Sequence, residues 1–128
     1  MSTEAAGAVV GAPRLILRLE GVALALAAAF FYWRLGGSWI LFAVLFLAPD
    51  LSFLAFLVSP RAGALAYNAA HATLGPLALL ALGAWLGSAI AEHSALIWLA
   101  HVGFDRALGY GLKYASAFGD THLGRIGR

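Results

Sequence analysis

The chain has 128 residues, of which 62% are hydrophobic and only 11% are charged. Soluble domains contain about 45–50% apolar and about 25% charged residues, so this composition excludes a water-soluble globule and a disordered chain. A net charge of +2 and the absence of cysteine exclude a nucleic-acid partner, a disulfide scaffold and a thiolate metal site. We therefore expect an integral membrane protein.

Four apolar segments, 15–33, 38–58, 62–86 and 89–108, have the length of about 20 residues that a helix needs to cross a bilayer. Because the connections are short, neighbouring helices should run antiparallel. The predicted fold is all-α, with a four-helix transmembrane bundle over residues 14–108. A flexible cytoplasmic N-terminus (1–13) precedes the bundle, and an interfacial C-terminal tail (109–128), with tyrosines near Lys113, follows it.

The basic residues predict the orientation of this bundle. Seven of the eight lysines and arginines lie on the side that holds both termini and the second loop, and Arg34 alone lies on the other side. Because cytoplasmic loops carry the excess of basic residues, we expect both termini in the cytoplasm. The first span has no small-residue cleavage site after it, so it is not expected to be a signal peptide.

Ionisable residues gather at one level of the predicted helices, near their cytoplasmic ends. At a rise of 1.5 Å per residue, all of them fall within roughly 5–12 Å of that boundary. Charged groups in hydrocarbon are unfavourable and usually face the bundle interior, where they mark a functional site. Every predicted helix contributes at least one member of this set: Glu20, Asp50, His71, His101 and Asp105.

This set predicts a site for a divalent metal such as Zn²⁺, because imidazole and carboxylate groups are its usual ligands. Asp50, His71 and His101 are the expected ligands. Asp105, four residues after His101 on the same helix face, and Glu20 are the candidate catalytic carboxylates. Three further polar residues are expected to support the site: Asn68, Asp120 and His122.

Each of these residues also has a purely structural interpretation. The histidines and Asp50 could hydrogen-bond between helices, and Asp105 could pair with Arg106. Glu20 could reach the surface beside the arginines of the first helix, and the Asp120–His122 pair could belong to a solvated turn. Pro49 and Pro76 each free a backbone carbonyl close to the site, or they only kink their helices.

The most distinctive sequence segments are LRLEG (17–21), LAPDLS (47–52), AYNxxH (66–71), HVGFDRALGYGLKY (101–114) and FGDTHLG (118–124). In these segments the chain resembles a family of small bacterial four-helix membrane proteins catalogued as domain of unknown function 4260. The resemblance covers residues 14–127 and implies the same fold and a bacterial inner-membrane location. It implies no activity.

Three functions remain open at this level. The first is a metal-dependent membrane hydrolase that acts on a lipid-like substrate near the cytoplasmic face. The second is a small proton-coupled carrier built around Glu20, although its polar residues lie at one end rather than at the midplane. The third is a non-enzymatic adaptor whose basic tail contacts a partner or anionic lipid. The bilayer is the expected environment in each case, no nucleic-acid partner is expected, and association into homo-oligomers is left open.

Overall fold

The computed structural model describes residues 7–114 and 120–125. Its five α-helices are α1 (Gly11–Arg34), α2 (Trp39–Phe46), α3 (Pro60–His71), α4 (Leu74–Leu86) and α5 (Ala89–Ala107), and a 3₁₀ helix (Ala48–Leu57) lies between α2 and α3. Two-residue strands, β1 (Asp120–Thr121) and β2 (Gly124–Arg125), pair antiparallel in the tail. The all-helical prediction is confirmed for the described residues, apart from this small hairpin.

Three helical stretches within the described residues are long and apolar enough to cross a membrane: Gly11–Arg34, Trp39–Leu57 and Pro60–Leu86. The fourth predicted span corresponds to α5, which has 19 residues but carries Glu92, Asp105 and Arg106. This helix is also the best covered by its neighbours, with a buried stretch that includes Ala95 to Ile97 and Leu99 to Gly103. A bundle of four spans therefore stays a prediction.

Serine side chains start three of these helices. The hydroxyls of Ser38, Ser59 and Ser88 accept hydrogen bonds from the backbone N–H groups three residues later, at the beginnings of α2, α3 and α5. Such N-caps satisfy donors that would otherwise lack a partner. Gly87 ends α4 with a φ of 67°, a left-handed conformation that favours glycine. Local sequence thus determines the turns that separate the helices.

Close contact between α1 and α5 depends on two glycines. A Cβ added to Gly21 would lie 2.8 Å from the carbonyl oxygen of Gly103, and one added to Gly103 would lie 2.6 Å from the backbone nitrogen of Ala25. Small residues let helix backbones approach in this way. Farther along the same two helices, a core of buried residues forms: Ala28, Tyr32, Leu96, Ile97, Leu99 and Ala100.

Both predicted middle helices are divided. Pro49 has no N–H to donate, and α2 ends at Phe46 before the 3₁₀ helix begins. The predicted span over 62–86 corresponds to two helices, because α3 ends at His71 and Ala72 is extended with a ψ of 152°. Pro76 then lies in the first turn of α4, where a missing N–H leaves no helical bond unmade.

The 3₁₀ helix aligns three side chains opposite α3. With three residues per turn, Asp50, Phe53 and Phe56 lie in one row. Asp50 contacts His71, the Phe53 ring stacks at 5.3 Å on Tyr67, and a Cβ on Gly63 would lie 2.2 Å from the Phe56 ring. The two rows therefore meet in antiparallel register, with the carboxylate beside the imidazole.

The tail after α5 folds back on the helices through side-chain to backbone hydrogen bonds. The Asn68 amide donates to the Lys113 carbonyl at 2.8 Å and accepts from the Lys113 N–H at 2.6 Å. Arg14 donates to the Leu123 carbonyl at 2.6 Å, and Arg18 donates to the Ala107 carbonyl at 3.0 Å. The tail is therefore held against the same end of the helices that carries Asp105.

The glycine contact between α1 and α5 can be tested with one substitution. We expect Gly21→Val to lower the free energy of unfolding by about 1–3 kcal/mol, because the added methyl groups must displace the backbone of α5. The measurement is the apparent melting temperature in detergent. Ala27→Val places the same side chain on an exposed position of α1 and should change stability by less than about 0.5 kcal/mol. Equal melting temperatures for the two variants would contradict a tight crossing at Gly21.

Candidate metal centre

Four polar side chains converge where the 3₁₀ helix, α3 and α5 meet. One ligand atom from each of Asp50, His71, His101 and Asp105 lies within 4.8 Å of all the others. The Nε2 atoms of the two histidines are 3.1 Å apart. Asp50 Oδ1 lies 3.2 Å from each of these nitrogens, and Asp105 Oδ2 lies 3.4 Å from His71 Nε2 and 3.3 Å from His101 Nε2.

These separations match the edges of a small tetrahedron. Ligand atoms about 2.0–2.1 Å from a tetrahedral zinc ion lie about 3.3–3.4 Å from one another. The five nitrogen–nitrogen and nitrogen–oxygen separations span 3.1 to 3.4 Å. Five of the six edges therefore have the length that a tetrahedral first-row divalent ion requires, and the sixth, between the ligand atoms of the two carboxylates, is within 4.8 Å.

The tautomer of His71 determines which nitrogen faces the carboxylates. Its Nδ1 lies 2.9 Å from the Tyr67 carbonyl oxygen, and a carbonyl only accepts, so Nδ1 carries the proton. In the neutral ring, Nε2 then presents a lone pair to two carboxylate oxygens. Such lone pairs repel one another unless a metal ion or a further proton lies between them. The same Nδ1–H bond orients the ring, as is usual for metal-binding histidines.

His101 approaches the cluster from α5, one turn before Asp105. Its ring packs edge-to-face on Phe46 at 5.0 Å, and the Phe46 carbonyl acts on the same imidazole. Within the described residues, the buried Nδ1 makes no hydrogen bond of standard geometry. The carbonyl therefore acts on the ring as a nearby dipole. Pro49 cannot donate to this carbonyl in the 3₁₀ pattern, which leaves the oxygen available.

The two carboxylates differ in exposure. The Asp105 side chain is 14% exposed and that of Asp50 is 36% exposed, whereas both histidine side chains are 3% exposed. Asp105 thus lies as close to the imidazoles as Asp50 does, and it is the more enclosed of the two. The sequence grouped Asp50 with the expected metal ligands and Asp105 with the candidate catalytic residues; the structure places both carboxylates beside the two imidazoles.

A stack of aromatic rings joins the cluster to the tail. The Tyr67 ring lies parallel to the His71 imidazole at 3.8 Å. The Lys113 ammonium lies 4.7 Å from the centre of the same ring and within 6 Å of the Phe53 and Phe56 rings, at 5.9 and 5.8 Å. Lys113 is buried, and this burial lowers the pKa of its ammonium group to about 8. The lysine expected at the lipid headgroups is instead enclosed beside the site.

The other predicted site residues whose side chains the structure describes do not join the cluster. Glu20 is exposed on α1, and Asn68 holds the backbone of Lys113. His122 Nδ1 accepts the Leu112 N–H at 2.8 Å, which requires an unprotonated nitrogen. Burial, together with the charge of Arg106, lowers the pKa of His122 and favours that state. The Asp120 side chain lies outside the described residues.

Sequence reasoning did not identify the role of Phe53, Phe56 and Lys113. The spacing of three between Asp50, Phe53 and Phe56 after a proline was a usable signal for the aromatic row. No comparable signal marked Lys113, since a lysine between tyrosines at a span end also fits a headgroup contact. Its burial follows from the Asn68 hydrogen bonds, which join residues 45 positions apart.

The lowered pKa of Lys113 predicts a pH dependence of stability. The folded protein releases this proton near pH 8, whereas the unfolded chain holds it to about 10.5. The unfolded state therefore binds more protons between these values, and stability should rise with pH by up to about 1.4 kcal/mol per unit. Melting in detergent from pH 7.5 to 10 should show this rise relative to Lys113→Met, which lacks the group. Parallel curves for the two proteins would show that Lys113 does not titrate in this range.

Comparison with known proteins places these residues in a family context. No curated protein and no solved structure shows a significant match to the chain. Residues 14–126 match a family described as domain of unknown function 4260, and this range contains every residue of the cluster. Since the match covers most of the 128 residues, the chain belongs to the family of domain of unknown function 4260.

Proposed function

We propose that this protein is a multi-pass membrane protein that binds one divalent metal ion at Asp50, His71, His101 and Asp105. The observation that carries the proposal is the set of ligand separations of 3.1 to 3.4 Å. Zinc fits best, because it favours four ligands in a tetrahedron and binds both imidazole and carboxylate. Iron and manganese accept the same ligand types, so the geometry rather than the chemistry favours zinc.

Metal content of the purified protein tests this proposal. We expect about one zinc per chain in the wild type, and loss of metal in the His71→Ala/His101→Ala double variant, because both buried ligands are removed. Plasma mass spectrometry of detergent-purified protein measures the ratio. His93→Ala and Glu20→Gln, which alter a histidine and a carboxylate outside the cluster, should retain the metal. A folded wild type that takes up no divalent ion even after incubation would overturn the proposal.

We further propose that the site hydrolyses an ester or amide bond of a lipid-like substrate. The three more enclosed ligands, His71, His101 and Asp105, form the two-histidine, one-carboxylate set typical of zinc hydrolases, which keep a fourth position open. When bound, such an ion supplies Lewis acidity and lowers the pKa of a neighbouring water. Asp50 is the more exposed carboxylate. It is therefore suited to give up its place as a ligand and to accept a proton from a water molecule as a general base.

The expected membrane context supports a lipid rather than a water-soluble substrate. In the proposed four-span bundle of the bacterial inner membrane, both termini are cytoplasmic, and the cluster lies near the cytoplasmic headgroups. Arg14 and Arg18 hold the tail at this same end. A polar site at this depth would meet the ester or amide groups that join lipid headgroups to their chains.

The different roles of the two carboxylates are separable by substitution. We expect Asp50→Asn to keep the metal but to lose hydrolysis, because the amide cannot accept the proton. Asp105→Asn should weaken metal binding by at least about tenfold, since an enclosed anionic ligand is lost. The assay is the release of fatty acid from vesicles of bacterial polar lipids, followed by mass spectrometry with and without zinc. Equal loss of metal in both variants would contradict the assignment of Asp50 as the exchanging group.

The proton-coupled carrier has less support from the geometry. Its central carboxylate, Glu20, is exposed on α1 and is not part of the cluster. The adaptor hypothesis gains no specific observation either, since Lys113, the basic residue of the tail whose side chain the structure describes, is buried. A metal-free cluster that shares protons between its imidazoles would bring the carrier back as the leading function.

A further inference from the structure

An apolar cleft lies directly beside the metal centre. It has a volume of about 390 Å³, within the size range of small-molecule sites, and lies between the end of α2, α3, α4 and α5. Its apolar lining comes from all four of these helices and the start of the 3₁₀ helix: Leu45, Ala48, Pro49, Ala70, Leu79 and Trp98. Ser94 is the polar residue of the lining.

The cleft shares a wall with the cluster. Pro49 directly precedes Asp50, Ala70 directly precedes His71, and Trp98 lies three residues before His101 on α5. The change from α-helix to 3₁₀ helix after Phe46 and the end of α3 at His71 border both features. The same helical segments therefore carry residues of the cleft and residues of the cluster.

Trp98 presents only its ring to this space. Its indole N–H donates to the Ala70 carbonyl at 2.5 Å, so the donor is already satisfied. A Cβ on Gly75 would lie 2.5 Å from the ring, which shows how closely α4 packs against the indole. Trp98 therefore offers the cleft a closely packed apolar surface with no free hydrogen-bond donor. A polar ligand would find no hydrogen-bond partner on this side chain.

The outer border of the cleft is equally apolar. Val44, Leu47 and Leu51 on the same helical stretch are 63 to 68% exposed, and this surface faces hydrocarbon in the proposed bilayer arrangement. A ligand can therefore enter sideways from the bilayer without crossing water. The molecule that meets these conditions has a long apolar part and one polar end.

We propose that the cleft holds one acyl chain of a membrane lipid, with the lipid's ester or amide group at the metal centre. The placement of the polar group rests on the proposed function. The binding position of the acyl chain, called the seat below, rests on the cleft alone. Because Trp98 lines the cleft, its fluorescence reports occupancy directly. A fatty acid brominated at mid-chain quenches tryptophan on contact and serves as the probe.

The experiment compares two single-tryptophan proteins reconstituted in unbrominated lipid. One keeps Trp98 and carries Phe in place of Trp33, Trp39 and Trp85. The other keeps Trp85, which is 85% exposed on α4 and reports ordinary lipid contact. We expect quenching of Trp98 to saturate as the probe is added, and quenching of Trp85 to rise in proportion to probe concentration. Proportional quenching of both would overturn the proposed seat.

Two further variants separate the seat from the metal site. In the Trp98 protein, Ala48→Phe fills the cleft and should weaken probe binding by about tenfold, whereas Ala43→Phe, on an exposed position of α2, should not. The His71→Ala/His101→Ala variant should still show saturable quenching. If the wild type shows saturable quenching but binds no metal, the acyl-chain site stands and the proposed hydrolase is wrong. If it binds metal but quenching does not saturate, the metal site stands and the proposed acyl-chain site is wrong. Equal binding in Ala48→Phe and Ala43→Phe would place the probe elsewhere.

Discussion

Two carboxylates and two imidazoles of this protein converge at one point, and both imidazoles are buried. His71 donates its Nδ1 proton to the Tyr67 carbonyl, which leaves Nε2 unprotonated in the neutral ring, 3.2 Å from Asp50 and 3.4 Å from Asp105. Burial of such a group is strongly unfavourable unless a cation neutralises it. A single divalent ion shared by the four groups would neutralise them, and the five known separations between their atoms are close to those around a tetrahedral zinc ion.

The backbone departs from regular α-helix at two of the four cluster residues, Asp50 and His71, whereas His101 and Asp105 lie within α5. Ten residues of 3₁₀ helix follow α2, a length that is uncommon and that often marks a functional segment. Its threefold period turns Asp50, Phe53 and Phe56 towards α3. On that side His71 is the last residue of its helix, and Arg106 on α5 donates to its free carbonyl at 3.2 Å. Both interruptions thus serve the position of a ligand.

The tail encloses the site from the side of Lys113. Asn68 binds its backbone, and the aromatic rings of Tyr67, Phe53 and Phe56 surround its ammonium group. Because Tyr67 also stacks on His71, the Lys113 ammonium group and the His71 imidazole contact the same ring. The orientation of a ligand therefore depends on residues more than 40 positions away in the sequence. This explains why the metal centre and the tail are best treated as one unit in mutational work.

Composition and local spacing determined much of this protein without any structure. The apolar segments, the serine and glycine turns and the level of the ionisable residues are properties of neighbouring positions, and His101 and Asp105 share a helix face by their spacing alone. Other features depend on which helices meet. The inclusion of Asp105 with Asp50, the exposed position of Glu20, the break at Ala72 and the burial of Lys113 follow from contacts between distant segments. Helical periodicity says where a side chain points, but only packing decides what it meets.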